Sequence, residues 1–221
     1  MTLNEMRAYI RRKFGWPAAD TDQTNAIDDA LNDAYMEVAG LLGDSPWLDH
    51  EATESVTSSS TTVDLSAFQS IRGAALYGTA YTYNLICNVP ARLWMLQNGH
   101  VSLMARATPT HLLISSKASG DAGQRVLKGT LAPYPDGAYT FWCTGSALVT
   151  PLTNGTDVPF FPAMFHRVVP CLAYPRLMHE EGFDQQMAVQ QQKQADRLLE
   201  GLMYREAVVT DPTQSIPRIG P

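Results

Sequence analysis

Charge is scarce in this chain. Asp, Glu, Lys and Arg make up 17% of its 221 residues, where about 25% is usual, so much of the surface must be Gln, Thr, Ser, Asn and Ala or be covered by other subunits. Cations are scarcer still, with 16 Lys and Arg against 22 Asp and Glu and a net charge of −6. A surface that grips phosphate needs clustered cations that release counterions, so a dedicated nucleic-acid binder and an anionic-membrane binder are both disfavoured. Cysteine is limited to Cys87, Cys143 and Cys171, an odd number with no C-x-x-C, which predicts free thiols in a reducing compartment. No uncharged apolar run reaches the roughly 18–20 residues that cross a bilayer. Met1 leads directly into a charged helical pattern with no secretory signal, so the chain is expected in the cytosol where it is made.

Catalytic signatures are missing as well. The histidines at 50, 100, 111, 166 and 179 show no H-E-x-x-H or comparable ligand spacing. His179-Glu180-Glu181, near Cys171, is the best metal candidate and reads better as a solvated helix end. Ser146 in Thr144-Gly145-Ser146-Ala147 lacks the second glycine of a nucleophile elbow. Gly120-Asp121-Ala122-Gly123 has neither the Lys nor the apolar strand of a phosphate loop. No catalytic residue, metal site or cofactor is expected, and the chain reads as a non-enzyme. No internal repeat is evident.

What the sequence does contain is helix at both ends and β texture between them. Thr2-Leu3-Asn4-Glu5 has the form of a capping box, and Leu3, Met6, Ile10 and Phe14 follow at helical spacing. Arg7, Arg11, Arg12 and Lys13 crowd the helix end, where the dipole favours cations; without aromatic or glycine interleaving they read as a solvated helix end rather than a DNA contact. A second helix is predicted from about Asp22 to Leu42, with Ile27, Leu31, Ala34, Tyr35, Val38 and Leu42 inward and Asp28, Asp29, Asn32 and Asp33 on a solvated acidic face. Gly43 stops it, and Trp47 after Pro46 folds back over its end.

From Glu51 onward the texture is β. Glu54–Leu65 predicts a strand, a turn at Ser58-Ser59-Ser60 and a strand; Ile71–Tyr83 predicts one or two more. Pro90–Gln97 predicts one short helix, and strands are expected at His100–Arg106 and His111–Ser115. Arg125–Tyr134 and Ala138–Thr144 flank Pro135-Asp136-Gly137 and predict a hairpin. Thr153-Asn154-Gly155-Thr156 is a further turn.

The C-terminal stretch organises the whole. A Pro-bounded aromatic patch, Val158-Pro159-Phe160-Phe161-Pro162, enters a helical pattern of Phe161, Phe165, Val168 and Leu172. Pro170 and Pro175 fall within it and predict a kinked or split helix, at about 3 kcal/mol each in a straight one. A long amphipathic helix follows from about Asp184 to Glu206, with Met187, Gln191, Gln194, Leu198 and Leu202 on one face. Its middle, Gln190-Gln191-Gln192 and Gln194, suits a polar subunit contact. The last stretch has three prolines and no helical period, yet Val208, Val209, Ile216 and Ile219 are apolar enough to dock on a partner.

The expected fold is α+β: a helical bundle from the N- and C-terminal segments with a small antiparallel β domain inserted. The expected divisions are 1–49, 50–156, 157–206 and an extended tail at 207–221. This layout, with Pro46-Trp47 after the second helix, the turn-strand Pro135 to Thr140, the Asp157-to-Pro162 entry, a His166-bearing helix and a long terminal helix, resembles the head-to-tail adaptor (connector) proteins of tailed bacteriophages. The resemblance covers about residues 2–206. It implies a structural virion subunit that forms a ring, usually of twelve, beneath the portal. Such a ring extends the DNA channel, lets DNA pass without specific binding and offers a docking surface to tail proteins. It also implies that the C-terminal segment engages the portal, which makes Val208, Val209, Ile216, Arg218 and Ile219 the candidate contact residues; Gln190, Gln191 and Gln194 are the candidate subunit contacts. The alternatives are a tail nozzle or tail-completion protein, a glycan- or peptide-binding module with a pocket at Trp94 and Trp142, and a hydrolase using His166, His179 and Ser146.

Overall fold

The computed structural model describes residues 1–17, 21–43, 45–87, 90–119, 124–181 and 185–210. Among them are five α-helices and two antiparallel sheets, of four and three strands, so the fold is α+β. The chain divides into a helical unit, 1–47 with 149–221, and a β unit, 48–148. Each has its own apolar core. The turn at 153–156 therefore lies in the helical unit rather than closing the β region.

In the helical unit α1 (Leu3–Phe14) starts on the Thr2 capping box and ends at Gly15, whose φ of 69° is the left-handed conformation that glycine adopts without strain. Two of its otherwise orphan first-turn amides, those of Leu3 and Asn4, donate to the carbonyls of Asp157 and Gly155 at 2.9 and 3.0 Å. The predicted Asn154-Gly155 turn is thus the seat of the first helix. α2 (Thr21–Leu42) buries the expected residues plus Ala30 and Ala39. Its Asn32 faces chain rather than solvent: the side-chain amide donates to the Leu152 carbonyl (3.1 Å) and accepts from the Leu152 amide (2.7 Å). Asp28 likewise leaves the acidic face to hold Arg7 of α1 in a two-pronged pair, at 2.5 and 2.6 Å. Trp47 is half-buried against this core, as expected.

α4 (Val168–Glu181) is the helix on which α1, α2 and α5 (Gln185–Thr210) all pack. Val168, Val169, Cys171, Leu172, Ala173, Tyr174, Leu177 and Met178 are all buried, and a helix apolar all round belongs at the centre of its neighbours. The prolines do not split it. A 3-10 turn at Ala163–Phe165 precedes the helix, which places Pro170 in the first turn, where its missing donor costs nothing. Only Pro175 is interior.

In the β unit the order of the larger sheet is β1-β7-β3-β4 and of the smaller β2-β6-β5. The strands are β1 (Asp49–Val56), β2 (Thr62–Leu65), β3 (Phe68–Tyr77), β4 (Thr82–Leu85), β5 (His111–Ser119), β6 (Gln124–Ala132) and β7 (Tyr139–Ala147). The sheets share a core of Val56, Val63, Leu65, Phe68, Leu76, Leu112, Leu131, Phe141 and Cys143. The expected hairpin at Arg125–Thr144 is corrected, while the strand, turn and strand expected at Glu54–Leu65 are present but join different sheets. β1 and β2 are joined by the predicted turn but pair with β7 and β6 respectively. β6 and β7 flank Pro135-Asp136-Gly137 and also belong to different sheets. In both cases the turn carries the chain from one sheet to the other, because opposed apolar faces need strands on both sides of the core. The strand expected at His100–Arg106 is a 3-10 turn at Val101–Leu103, capped by His100 Nδ1 accepting from the Ser102 amide at 3.3 Å. α3 (Ala91–Asn98) matches the predicted helix and turns Trp94 inward against Val101, Leu113 and Ala132.

Candidate interaction surfaces

The residues with chemical potential are tied into the fold. Ser146 is fully buried on β7 and accepts from Arg72 Nη2 at 3.0 Å; Arg72 also pairs with Asp49. Trp94 is 7% exposed, so its ring belongs to a core and is no wall for a glycan; Trp142 is half-buried on β7. His179 lies in α4, and its side chain falls outside the described residues, as does the 120–123 segment. No group of three His, Cys, Asp or Glu placed to hold a metal occurs among the described residues. Cys143 lies in the apolar core between the sheets, and burial pushes its thiol up to about 11.

His166 is a packing element with a polar duty. It is 5% exposed, edge-on to the Phe161 ring, with Nε2 at 2.7 Å from the Phe161 carbonyl. A carbonyl only accepts, so Nε2 carries the proton and Nδ1 is the acceptor facing the Met1 amino group at 2.7 Å. The ring thereby ties the aromatic entry segment to the start of the chain. Burial is the main cause holding its pKa below the ordinary 6.5. The unfolded chain takes up this proton near pH 6.5, the native state only at lower pH. The stability gained from a neutral His166 is therefore full above that value and is lost as pH falls through the native pKa. His166→Gln, which keeps a donor but does not titrate, is expected to be about 1–3 kcal/mol less stable at pH 7.5. The gap to the unmodified chain should narrow on acidification in urea unfolding; parallel pH curves would contradict this.

Gln191, expected as a subunit contact, is turned inward in the single chain. It is 7% exposed, its Oε1 accepting from the Tyr9 hydroxyl at 3.0 Å and from the Cys171 thiol at 3.4 Å. The Arg167 guanidinium lies 5.2 Å from the centre of the Tyr9 ring and donates to its hydroxyl. Gln191 thus fastens α5 to α1 and α4. Of the other two, Gln190 is exposed and Gln194 half-buried. α5 continues to Thr210 and contains Val208 and Val209. The residues after Glu206 hold no helix breaker until Pro212, and the residue before a proline disfavours helix. Ile216, Arg218 and Ile219 lie outside the described residues.

The surface that sequence reasoning missed is the segment from Ile86 to Leu103. With Trp94 and Val101 turned inward, Leu93, Leu96 and Leu103 are left 55%, 74% and 84% exposed, and Ile86 54%. Leu93 and Leu96, three residues apart, share one face of α3. The signal was available: once Trp94 anchors a short helix, its neighbours at one residue before and two after must point away. On the helical unit Met36, Val189, Met203 and Tyr204 are also exposed. Exposed apolar clusters mark interaction sites.

A protein-family model described as SU10 adaptor protein matches residues 1–216. No curated protein matches the chain.

Proposed function

The chain belongs to the SU10 adaptor protein family of phage structural proteins, and from that premise we propose that it assembles as a ring at the portal vertex of the virion. The ring extends the DNA channel and carries the surface on which tail proteins dock. The observation behind this reading is the family match across nearly the whole chain. The surface agrees with it: exposed leucines on α3 and the turn after it, low charge throughout, and Gln190 on the outer side of α5. A net charge of −6 suits a conduit, since a wall that holds passing DNA would slow it. No helix among the described residues is long and apolar enough to cross a membrane. The portal contact is assigned to the C-terminal residues Val208, Val209, Ile216, Arg218 and Ile219. A tail nozzle or tail-completion protein would differ in meeting only tail proteins.

Removal of this gene from its phage is expected to leave DNA-filled heads and separate tails, with infectious particles lowered by several orders of magnitude. Electron microscopy of lysates and plaque counts read both. Tailed, infectious particles at normal yield would contradict the proposal.

A further inference from the structure

We infer that copies of this chain meet through α2 of one and α5 of the next, with Asp29 and Asp33 facing Arg197 and Lys193. This inference rests on the ring reading and names the faces that would form it.

The outer side of α2 is a stripe of Asp22, Asn25, Asp29, Asp33, Met36 and Gly40, all exposed. Successive members lie three or four residues apart and so share one helix face. Glu37 beside it is neutralised within the chain by Arg176. Asp29 and Asp33 make no ion pair among the described residues, and they line a groove of about 200 Å³ between α2 and α4 together with Ala26, Ala30, Arg176 and Leu177.

The outer side of α5 carries a stripe of the same geometry: Gln186, Val189, Gln190, Lys193, Arg197, Glu200 and Tyr204, again all exposed. Lys193 and Arg197 have the same spacing of four residues as Asp29 and Asp33, and no ion pair holds either among the described residues. Asp196, next to them, is turned to the flank and accepts from Gln192 at 3.0 Å.

Two features fix the partner as a second copy. The stripes are complementary in charge and equal in spacing, and α2 and α5 each pack on α4 with no ion pair between the two stripes within one copy among the described residues. A single copy cannot join them; neighbours related head to tail can, and such contacts close into rings when the rotation permits. An antiparallel alignment, Asp33 to Lys193 and Asp29 to Arg197, sets Met36 opposite Gln190, one residue from Val189, and leaves Glu200 opposite Ala26. The parallel alignment, Asp29 to Lys193 and Asp33 to Arg197, would set Glu200 opposite Met36, one residue from Glu37. Exposed ion pairs contribute little affinity alone, so the charges select partner and register while Met36, Val189 and Tyr204 supply buried area.

The experiment compares self-association of the full chain, free by sedimentation velocity and on portal-bearing capsids by electron microscopy. Two variants are used, Asp29→Lys with Asp33→Lys, and Lys193→Glu with Arg197→Glu. Each alone should weaken association about tenfold or more at low salt without changing the melting temperature. An equal mixture of the two variants should associate again, because each reversed face then finds its complement on the other. Unweakened association of both variants, or weakening without recovery in the mixture, would overturn this pair of faces and leave the ring standing. A chain that stays single both free and on capsids would remove the ring itself and this interface with it.

Discussion

Gly145→Ala is expected to cost at least about 3 kcal/mol, enough to leave most of the chain insoluble or unfolded at 37 °C. Gly145 lies on β7, between β1 and β3 in the larger sheet. A methyl group there would lie 2.0 Å from the Ser70 carbonyl oxygen and 3.0 Å from the Ile71 Cα. Both are backbone atoms and cannot rotate aside. β3 is already irregular here, with register shifts between Phe68 and Ser70 and between Ile71 and Gly73, and only a missing side chain lets the bulged strand close on β7. Gly137→Ala is the control, since its added carbon would meet only the Tyr139 ring, at an ordinary 3.9 Å; it should shift stability by no more than about 0.5 kcal/mol. Urea unfolding of soluble protein, or the soluble fraction on expression, measures both. A Gly145→Ala chain as stable as the Gly137→Ala chain would mean that β3 and β7 do not pair in this register.

The second large effect concerns binding rather than folding. Ending the chain at Thr210 removes Ile216, Arg218, Ile219 and three prolines while keeping all of α5. The truncated chain should melt as the full chain does but bind portal-bearing capsids at least about a hundredfold more weakly. The physical ground is compositional: apolar residues spaced by prolines cannot continue a helix and suit an extended segment laid on another protein. Equal binding by the truncated chain would move the portal contact elsewhere, with the exposed leucines of α3 next in line.

Local chemistry was legible from the residues alone. The Thr2–Glu5 box, the Gly15 stop and the inward stripe of α2 are written in short spacings, and each appears where those spacings place it. Pairing was not legible. The turn signals at Ser58–Ser60 and Pro135–Gly137 mark real reversals, but a turn specifies only that the chain changes direction. Whether the next strand joins the same sheet depends on residues such as Leu112 and Leu131, far away in sequence, that need a facing layer. The 3-10 turn after His100 was missed because an imidazole cap is outside the usual turn vocabulary. The inward hydrogen bonds of Gln191 were not legible for a related reason. A glutamine on an inward stripe is unreadable until its partners are known, and Tyr9 is 182 residues away.

In the proposed assembly this subunit finishes covering its surface on a portal ring. The deciding measurement is cryo-electron microscopy of purified full chain added to DNA-filled, tailless heads. A single closed ring coaxial with the portal, leaving an open channel, is the predicted result. Portal vertices that remain bare, or single copies scattered without a ring, would contradict it.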